Sequence, residues 1–244
     1  ENDFLPDLDA IPEETARRAK FIYINYPNNP TGAVATKAFY EKLVAWAKTY
    51  EVGVVSDLAY GALGYQGYEN PSFLSTPGAK DVGIEFYTFS KTFNMAGWRL
   101  AFAAGNEQMI EALNLIQDHL FVGIFPALQE AGIAALLDPK SEEAVAQLNE
   151  TYDSRRDAFV QAAAKIGWQA FPSKGSFYAW MPVPEGDTSE SFADLLLEKA
   201  HVAVAPGKGF GPAGDAYVRI GLLVEPERLV EAVNRIANLQ LFNN

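Results

Sequence analysis

Cysteine is absent from the 244 residues of this chain. That one absence excludes disulfides, thiolate nucleophiles and cysteine-ligated metals together. Histidine is almost as scarce, with only His119 and His201. Neither a histidine-rich metal site nor a Ser-His-Asp triad is supported, and no metal is expected. His119 precedes the apolar Leu120-Phe121-Val122 and reads as a core or surface residue. His201 follows a helical stretch and reads as a C-cap or solvent-facing group. Positive charge is in deficit. The net charge of -12 weighs against a nucleic-acid partner or an anionic membrane surface. No apolar run approaches the ~18 to 20 residues that a bilayer span needs, and no signal peptide is visible. There is no internal repeat and no low-complexity segment. The chain opens on Glu1-Asn2-Asp3, without an initiator methionine and without a polar lead-in. It reads as a piece of something longer, and a cytoplasmic location is expected.

What is present suffices for a large core. Hydrophobic residues make up 49% and charged residues 20%, enough for one large domain or two smaller ones. Residues 1–20 read as a loop and a short amphipathic turn. Residues 21–25, 52–56, 84–87 and 99–104 are short apolar runs, rich in β-branched and aromatic side chains, and read as strands. Helical patterns lie between several of them, above all after Thr36, a candidate cap. There Phe39, Leu43, Trp46, Ala47 and Tyr50 share one face. The alternation predicts an open, largely parallel α/β sheet. Residues 107–138 read as helix interrupted near Gly123 and Pro126. Ser141 opens a long helix that Gly167 closes.

From there the pattern changes. Strands predicted at 168–171, 177–181, 202–205 and 217–222 alternate with helices at 188–200 and 226–239, a smaller α+β layer. Asp187 with Glu190 resembles a capping box, and Pro226 sits at the first position of the last helix. The expected division is therefore 1–138 for a large domain and 139–244 for the long linking helix and a small C-terminal domain. The glycine-rich stretch 206–214 fits neither a dinucleotide nor a nucleotide phosphate loop and reads as a hairpin-like connection.

Chemistry-bearing residues collect at strand ends. Tyr26-Pro27-Asn28-Asn29-Pro30-Thr31-Gly32 is a dense turn whose X-Pro bonds could include a cis bond. Asp57 ends an apolar strand, so it is exposed, a cap, or paired with a buried cation. Lys91, in Thr88-Phe89-Ser90-Lys91, follows another strand. In a parallel sheet the ends carrying Asn29, Asp57 and Lys91 share one rim, where α/β proteins place their ligands. A lysine amine there becomes a nucleophile toward carbonyls when its surroundings depress its pKa. Arg219 lies in the apolar strand Tyr217-Val218-Arg219-Ile220-Gly221 and needs an anionic partner, either an internal carboxylate or a ligand.

Taken in order, Asn28-Asn29-Pro30-Thr31-Gly32, Asp57-Leu58-Ala59-Tyr60, Thr88-Phe89-Ser90-Lys91, Gly97-Trp98-Arg99, the segment from Gly175 to Trp180, and Val218-Arg219-Ile220 resemble the pyridoxal-phosphate (PLP) aminotransferases of the aspartate aminotransferase fold. The wording is nearest the branch of the methionine-salvage and LL-diaminopimelate aminotransferases. The resemblance implies a PLP-transferase-like large domain, a homodimer, and transfer of an amino group between an amino acid and a 2-oxo acid, the latter of methionine-salvage type. It implies that Lys91 holds PLP as a Schiff base and then carries the proton. Asp57 faces the pyridine nitrogen as a buried carboxylate. Tyr60 and Asn29 bond the phenolic oxygen, Thr88 and Arg99 hold the phosphate, and Arg219 with Asn29 binds the substrate carboxylate. Ser90 matches the motif without an expected cofactor contact.

The same scaffold admits a carbon–sulfur lyase, which releases ammonia and pyruvate, or the effector domain of a transcription regulator. Members of that family carry a further N-terminal segment with a phosphate loop at a helix N-terminus, an aromatic residue stacked on the PLP ring, and part of the small domain.

Overall fold

A computed structural model describes residues 3–242; residues 1–2 and 243–244, at the outer ends of the two expected domains, lie outside the described residues. The fold is α/β. In chain order the helices are α1 (Glu13–Arg18), α2 (Lys37–Tyr50), α3 (Ala79–Val82), α4 (Phe89–Thr92), α5 (Glu107–Leu120), α6 (Pro126–Leu137), α7 (Ser141–Lys165), α8 (Ser189–Leu195) and α9 (Pro226–Ala237). The strands are β1 (Phe21–Asn25), β2 (Gly53–Asp57), β3 (Gly83–Thr88), β4 (Ala101–Gly105), β5 (Tyr178–Pro182), β6 (Ala205–Pro206) and β7 (Tyr217–Gly221). Among the described residues no helix is long and apolar enough to cross a membrane.

The chain divides into two compact units, and the change falls inside α7, between Gln147 and Leu148. The first unit comprises residues 1–27, 34–64 and 69–147. Its sheet runs β1-β2-β3-β4, with β1, β2 and β3 parallel and β4 antiparallel to β3. The α2 helix forms because Thr36 caps it, its hydroxyl accepting the Phe39 N–H at 3.1 Å. It buries Phe39, Tyr40, Leu43, Val44 and Ala47, while Trp46 and Tyr50 stay half-buried and pack on each other at 5.3 Å. Tyr40 meets the fully buried Phe73 edge to face at 5.8 Å, which ties α2 to the segment ahead of β3. That segment is also pinned by buried Glu85 on β3. Its carboxylate accepts from Ser56 Oγ at 3.0 Å, from the Phe73 N–H at 2.8 Å and from Ser72 Oγ.

The second unit comprises residues 28–33, 65–68 and 148–244. A three-stranded antiparallel sheet, β5-β7-β6, packs on the later part of α7, on α8 and on α9. Phe159, Trp168, Met181, Phe192, Leu196, Val218, Leu222 and Val233 form its core. Each large apolar side chain buried there contributes about 1.5–3 kcal/mol. Trp168 keeps its polar edge satisfied by donating Nε1–H to the Pro182 carbonyl at 2.7 Å. Leu229, Val233 and Ile236 line the inner face of α9, which starts with Pro226 at its first position as expected.

Several expectations for this unit are corrected. Residues 168–171 form no strand; the Phe171 N–H donates to the Trp180 carbonyl at 3.0 Å without building a ladder. The strand expected at 202–205 is reduced to the two residues of β6. The capping box at α8 belongs to Thr188 and Ser191, one residue later than Asp187 and Glu190, because only Thr188 and Ser191 exchange side-chain and backbone bonds, at 3.1 and 3.0 Å. Stretch 206–214 is the hairpin-like connection expected, joining β6 to its antiparallel partner β7 through two successive short 3-10 turns, Gly207–Phe210 and Pro212–Ala216. His201 is the left-handed C-cap of a helical turn, and His119 is exposed on α5.

Candidate active site

Five of the seven expected site residues belong to the first unit. Parallel pairing of β2 with β3 sets Asp57 opposite Phe86, and the Leu58 N–H donates to the Phe86 carbonyl at 2.9 Å. The strands therefore end together on one rim. Asn25, at the end of β1, donates its amide to the Asp57 carbonyl at 3.0 Å. Lys91 follows on α4, a short helix whose cap is Thr88; the Thr88 hydroxyl accepts the Ser90 N–H at 3.2 Å. The Lys91 ammonium lies 5.9 Å from the centre of the Tyr60 ring, at the outer edge of cation–π range. Tyr60 is buried.

Asp57 is exposed rather than buried, which corrects one detail of its expected role. Enough protein still surrounds the carboxyl that partial desolvation raises its pKa, and the bond it accepts from the Ala59 N–H at 3.0 Å pulls the other way. Among the described residues no cation pairs with it. Arg99 is also exposed. It adopts a left-handed backbone, donates to the Ala96 carbonyl at 3.0 Å and meets no carboxylate among the described residues. The first unit thus offers a lysine amine, a carboxylate without a cation, hydroxyls at Thr88 and Tyr60, and an arginine without an anion. Those groups fit PLP, whose aldehyde, protonated ring nitrogen, phenolic oxygen and phosphate each need one of them.

Asn29 and Arg219 belong to the second unit, and there they meet. The turn carrying Asn29 holds cis peptide bonds at Tyr26–Pro27 and Asn29–Pro30. It is stitched by the Gly32 N–H to the Asn28 carbonyl at 2.8 Å and by the Thr31 hydroxyl to Asn28 Oδ1 at 2.7 Å. Gly32 has φ +71°, and a Cβ there would fall 2.1 Å from Ser173 Oγ, so the turn needs glycine. Asn29 Oδ1 accepts from Arg219 Nη1 at 2.7 Å. No carboxylate among the described residues pairs with Arg219, so the internal salt bridge considered for it is not what holds it. Two aromatic rings flank it instead. Cζ lies 4.2 Å from the centre of Tyr178 and 4.7 Å from that of Phe210. Sequence reasoning assigned neither ring a role. Their only signal was an aromatic residue inside a glycine-rich stretch and another in a strand beside Arg219.

The family model for aminotransferase class I and II matches residues 1–236, and the chain belongs to that family. Its members are PLP-dependent. The chain is 57% identical, over 239 residues, to the L-glutamine–4-(methylsulfanyl)-2-oxobutanoate aminotransferase of Bacillus subtilis, covering 98% of this chain and 60% of that protein. It is 50% identical to the LL-diaminopimelate aminotransferase of Moorella thermoacetica, covering 96% of this chain and 60% of the relative. Among solved structures, substrate-bound BacF from Bacillus subtilis superposes with a TM-score of 0.93 at 47% identity, over 99% of this chain and 61% of BacF. The chain therefore spans about 60% of the length of the curated relatives it matches.

Proposed function

We propose that the protein containing this chain is a PLP-dependent aminotransferase that exchanges an amino group between an amino acid and a 2-oxo acid, the latter of the 4-(methylsulfanyl)-2-oxobutanoate type. The observation that carries the reading is that the Asp57 carboxylate and the Lys91 amine both lie at the ends of adjacent parallel strands, β2 and β3, on one rim. The relatives named above support the substrate class. Residues 1–138 are proposed as the PLP-binding large domain, and 139–244 as the linking helix and small domain. A cytoplasmic homodimer completes the proposal.

In this mechanism PLP, when bound, supplies an electrophilic carbon for the amino group and a cationic ring that absorbs an electron pair. Lys91 Nζ would hold the group and, once the substrate amine had displaced it, would serve as the proton carrier at the substrate Cα. Asp57 would favour the protonated ring nitrogen, because a carboxylate beside it favours the charged form. Tyr60 and Asn29 would hydrogen-bond the phenolic oxygen. Thr88 and Arg99 would hold the phosphate, the arginine by a charge-assisted bond. Arg219, held by Asn29, presents its fork to the substrate carboxylate.

The test is spectroscopic. Adding a panel of amino acids to the PLP-loaded protein should convert its visible band to the pyridoxamine form, and a 2-oxo acid should reverse the change. Release of ammonia and pyruvate, with no pyridoxamine formed, would instead mark a carbon–sulfur lyase.

A further inference from the structure

We propose that Phe210 and Tyr178 are positioning residues for Arg219, and that the glycine-rich stretch 206–214 exists to deliver the Phe210 ring. The proposal rests on the reading of Arg219 as the carboxylate site and deepens it.

Three observations carry it. First, the stretch is built for close backbone approach. A Cβ on Gly207 would fall 2.1 Å from the Gly214 carbonyl oxygen and 2.4 Å from that of Tyr217, and a Cβ on Gly214 would fall 2.1 Å from the Gly207 carbonyl oxygen. Two glycines back to back fold the segment over on itself and leave Phe210 at its turn. Second, the segment is anchored. The Lys208 N–H donates to Ser189 Oγ at 3.2 Å, Ser189 Oγ donates to Asp215 Oδ1 at 2.8 Å, and the Lys208 ammonium pairs with Glu190 at 2.7 Å. A mobile surface loop has no use for a completely buried serine tying both of its arms to α8.

Third, the Phe210 ring is not in the core. It is 41% exposed, and its neighbours are the Arg219 guanidinium at 4.7 Å and the edge of Trp180 at 6.0 Å. Trp180 in turn stacks on Tyr217 at 5.2 Å, which backs the arrangement. A long arginine side chain ordinarily loses rotamer freedom when it grips a ligand. Rings on the guanidinium and the 2.7 Å bond it donates to Asn29 Oδ1 remove that freedom on folding, so binding does not cost it again. The rings also displace water from beside the cation, which strengthens its bond to an incoming carboxylate. Phe210 thus acts through Arg219 and touches no reacting atom.

The experiment compares Phe210→Leu, Phe210→Tyr and Arg219→Gln in the PLP-loaded protein, using the amino donor and 2-oxo acid that the parent turns over. Calorimetry also gives the dissociation constant of that 2-oxo acid for the pyridoxamine-loaded form. Phe210→Leu should raise both KM values and the dissociation constant by about 5- to 30-fold, with kcat within about threefold, as expected for loss of a cation–π contact. Phe210→Tyr keeps the π face and should stay within about threefold of the parent throughout. Parent-like binding by Phe210→Leu, equal weakness of Phe210→Tyr and Phe210→Leu, or a fall confined to kcat overturns the proposal. Arg219→Gln separates the two levels. If it leaves the dissociation constant unchanged, the carboxylate assignment itself fails. If it weakens binding while Phe210→Leu does not, only the role of the ring fails.

Discussion

Asp57 shows how a single group can carry opposite signs in two states of one protein. Desolvation raises its folded pKa above the ordinary value of 3.8. The folded chain then holds that proton more tightly than the unfolded chain, so this group's contribution to stability falls as pH rises through the carboxylate range. Asp57→Asn removes the cost and can still accept the Ala59 N–H. Without PLP, the variant is expected to be more stable than the parent at pH 7 and no different near ~pH 3, where the acid is protonated in both states. With PLP bound the order reverses, because the ring cation loses its partner. Denaturant midpoints at both pH values, with and without PLP, check this; a variant no more stable than the parent in the PLP-free protein at pH 7 contradicts it. For turnover, Asp57→Ala should leave the protein nearly inactive in an amino-transfer assay.

At this scale the sequence was informative where chemistry is rare. A lysine beyond a strand, an aspartate ending one and an arginine inside one are each out of place in an apolar setting and need a reason. It was silent on Tyr178 and Phe210, because aromatic residues are ordinary core material and only coordinates place their rings on a guanidinium.

Among elements, local signals were readable wherever one or two residues decide the outcome. The β1 strand matches its expected residues, Thr36 caps α2, and Pro226 starts α9. Thr36→Ala should therefore lower stability by about 1 kcal/mol without affecting PLP binding, as thermal unfolding and cofactor titration would show. Signals that depend on tertiary partners were lost. Residues 168–171 have strand-like composition, yet Trp168 serves the core of the small unit and the segment bonds to Trp180 on β5 without forming a strand. The stretch 206–214 joins β6 to β7 as the hairpin-like connection its glycines indicated, but its internal folding was not legible. Their actual use, close approach of Gly207 to Gly214, is a contact seven positions apart that composition does not encode.

At the scale of the whole molecule, the first unit presents much apolar surface. Tyr23 is 75% exposed, Val122 85% and Leu137 75%. A groove of about 670 Å³ is lined by Phe86, Phe102, Leu113 and Leu136. Monomeric proteins rarely leave such patches open. These 244 residues prepared alone are therefore expected to bind a hydrophobic dye such as ANS and to self-associate despite their charge of -12. A dye-silent monomer in sedimentation would contradict this. The mostly parallel sheet of the first unit follows from alternating strands and helices, which the pattern of apolar residues already displayed. The open faces did not show in the sequence, since the same pattern describes a surface that is covered and one that is not.

The central assignment is that one amine, Lys91, carries the cofactor. Borohydride reduction of the PLP-loaded protein, followed by proteolysis and mass spectrometry, tests it most directly. The pyridoxyl mass is expected on the peptide containing Lys91. Its appearance on another lysine, or its absence from a protein that has taken up PLP, contradicts the assignment.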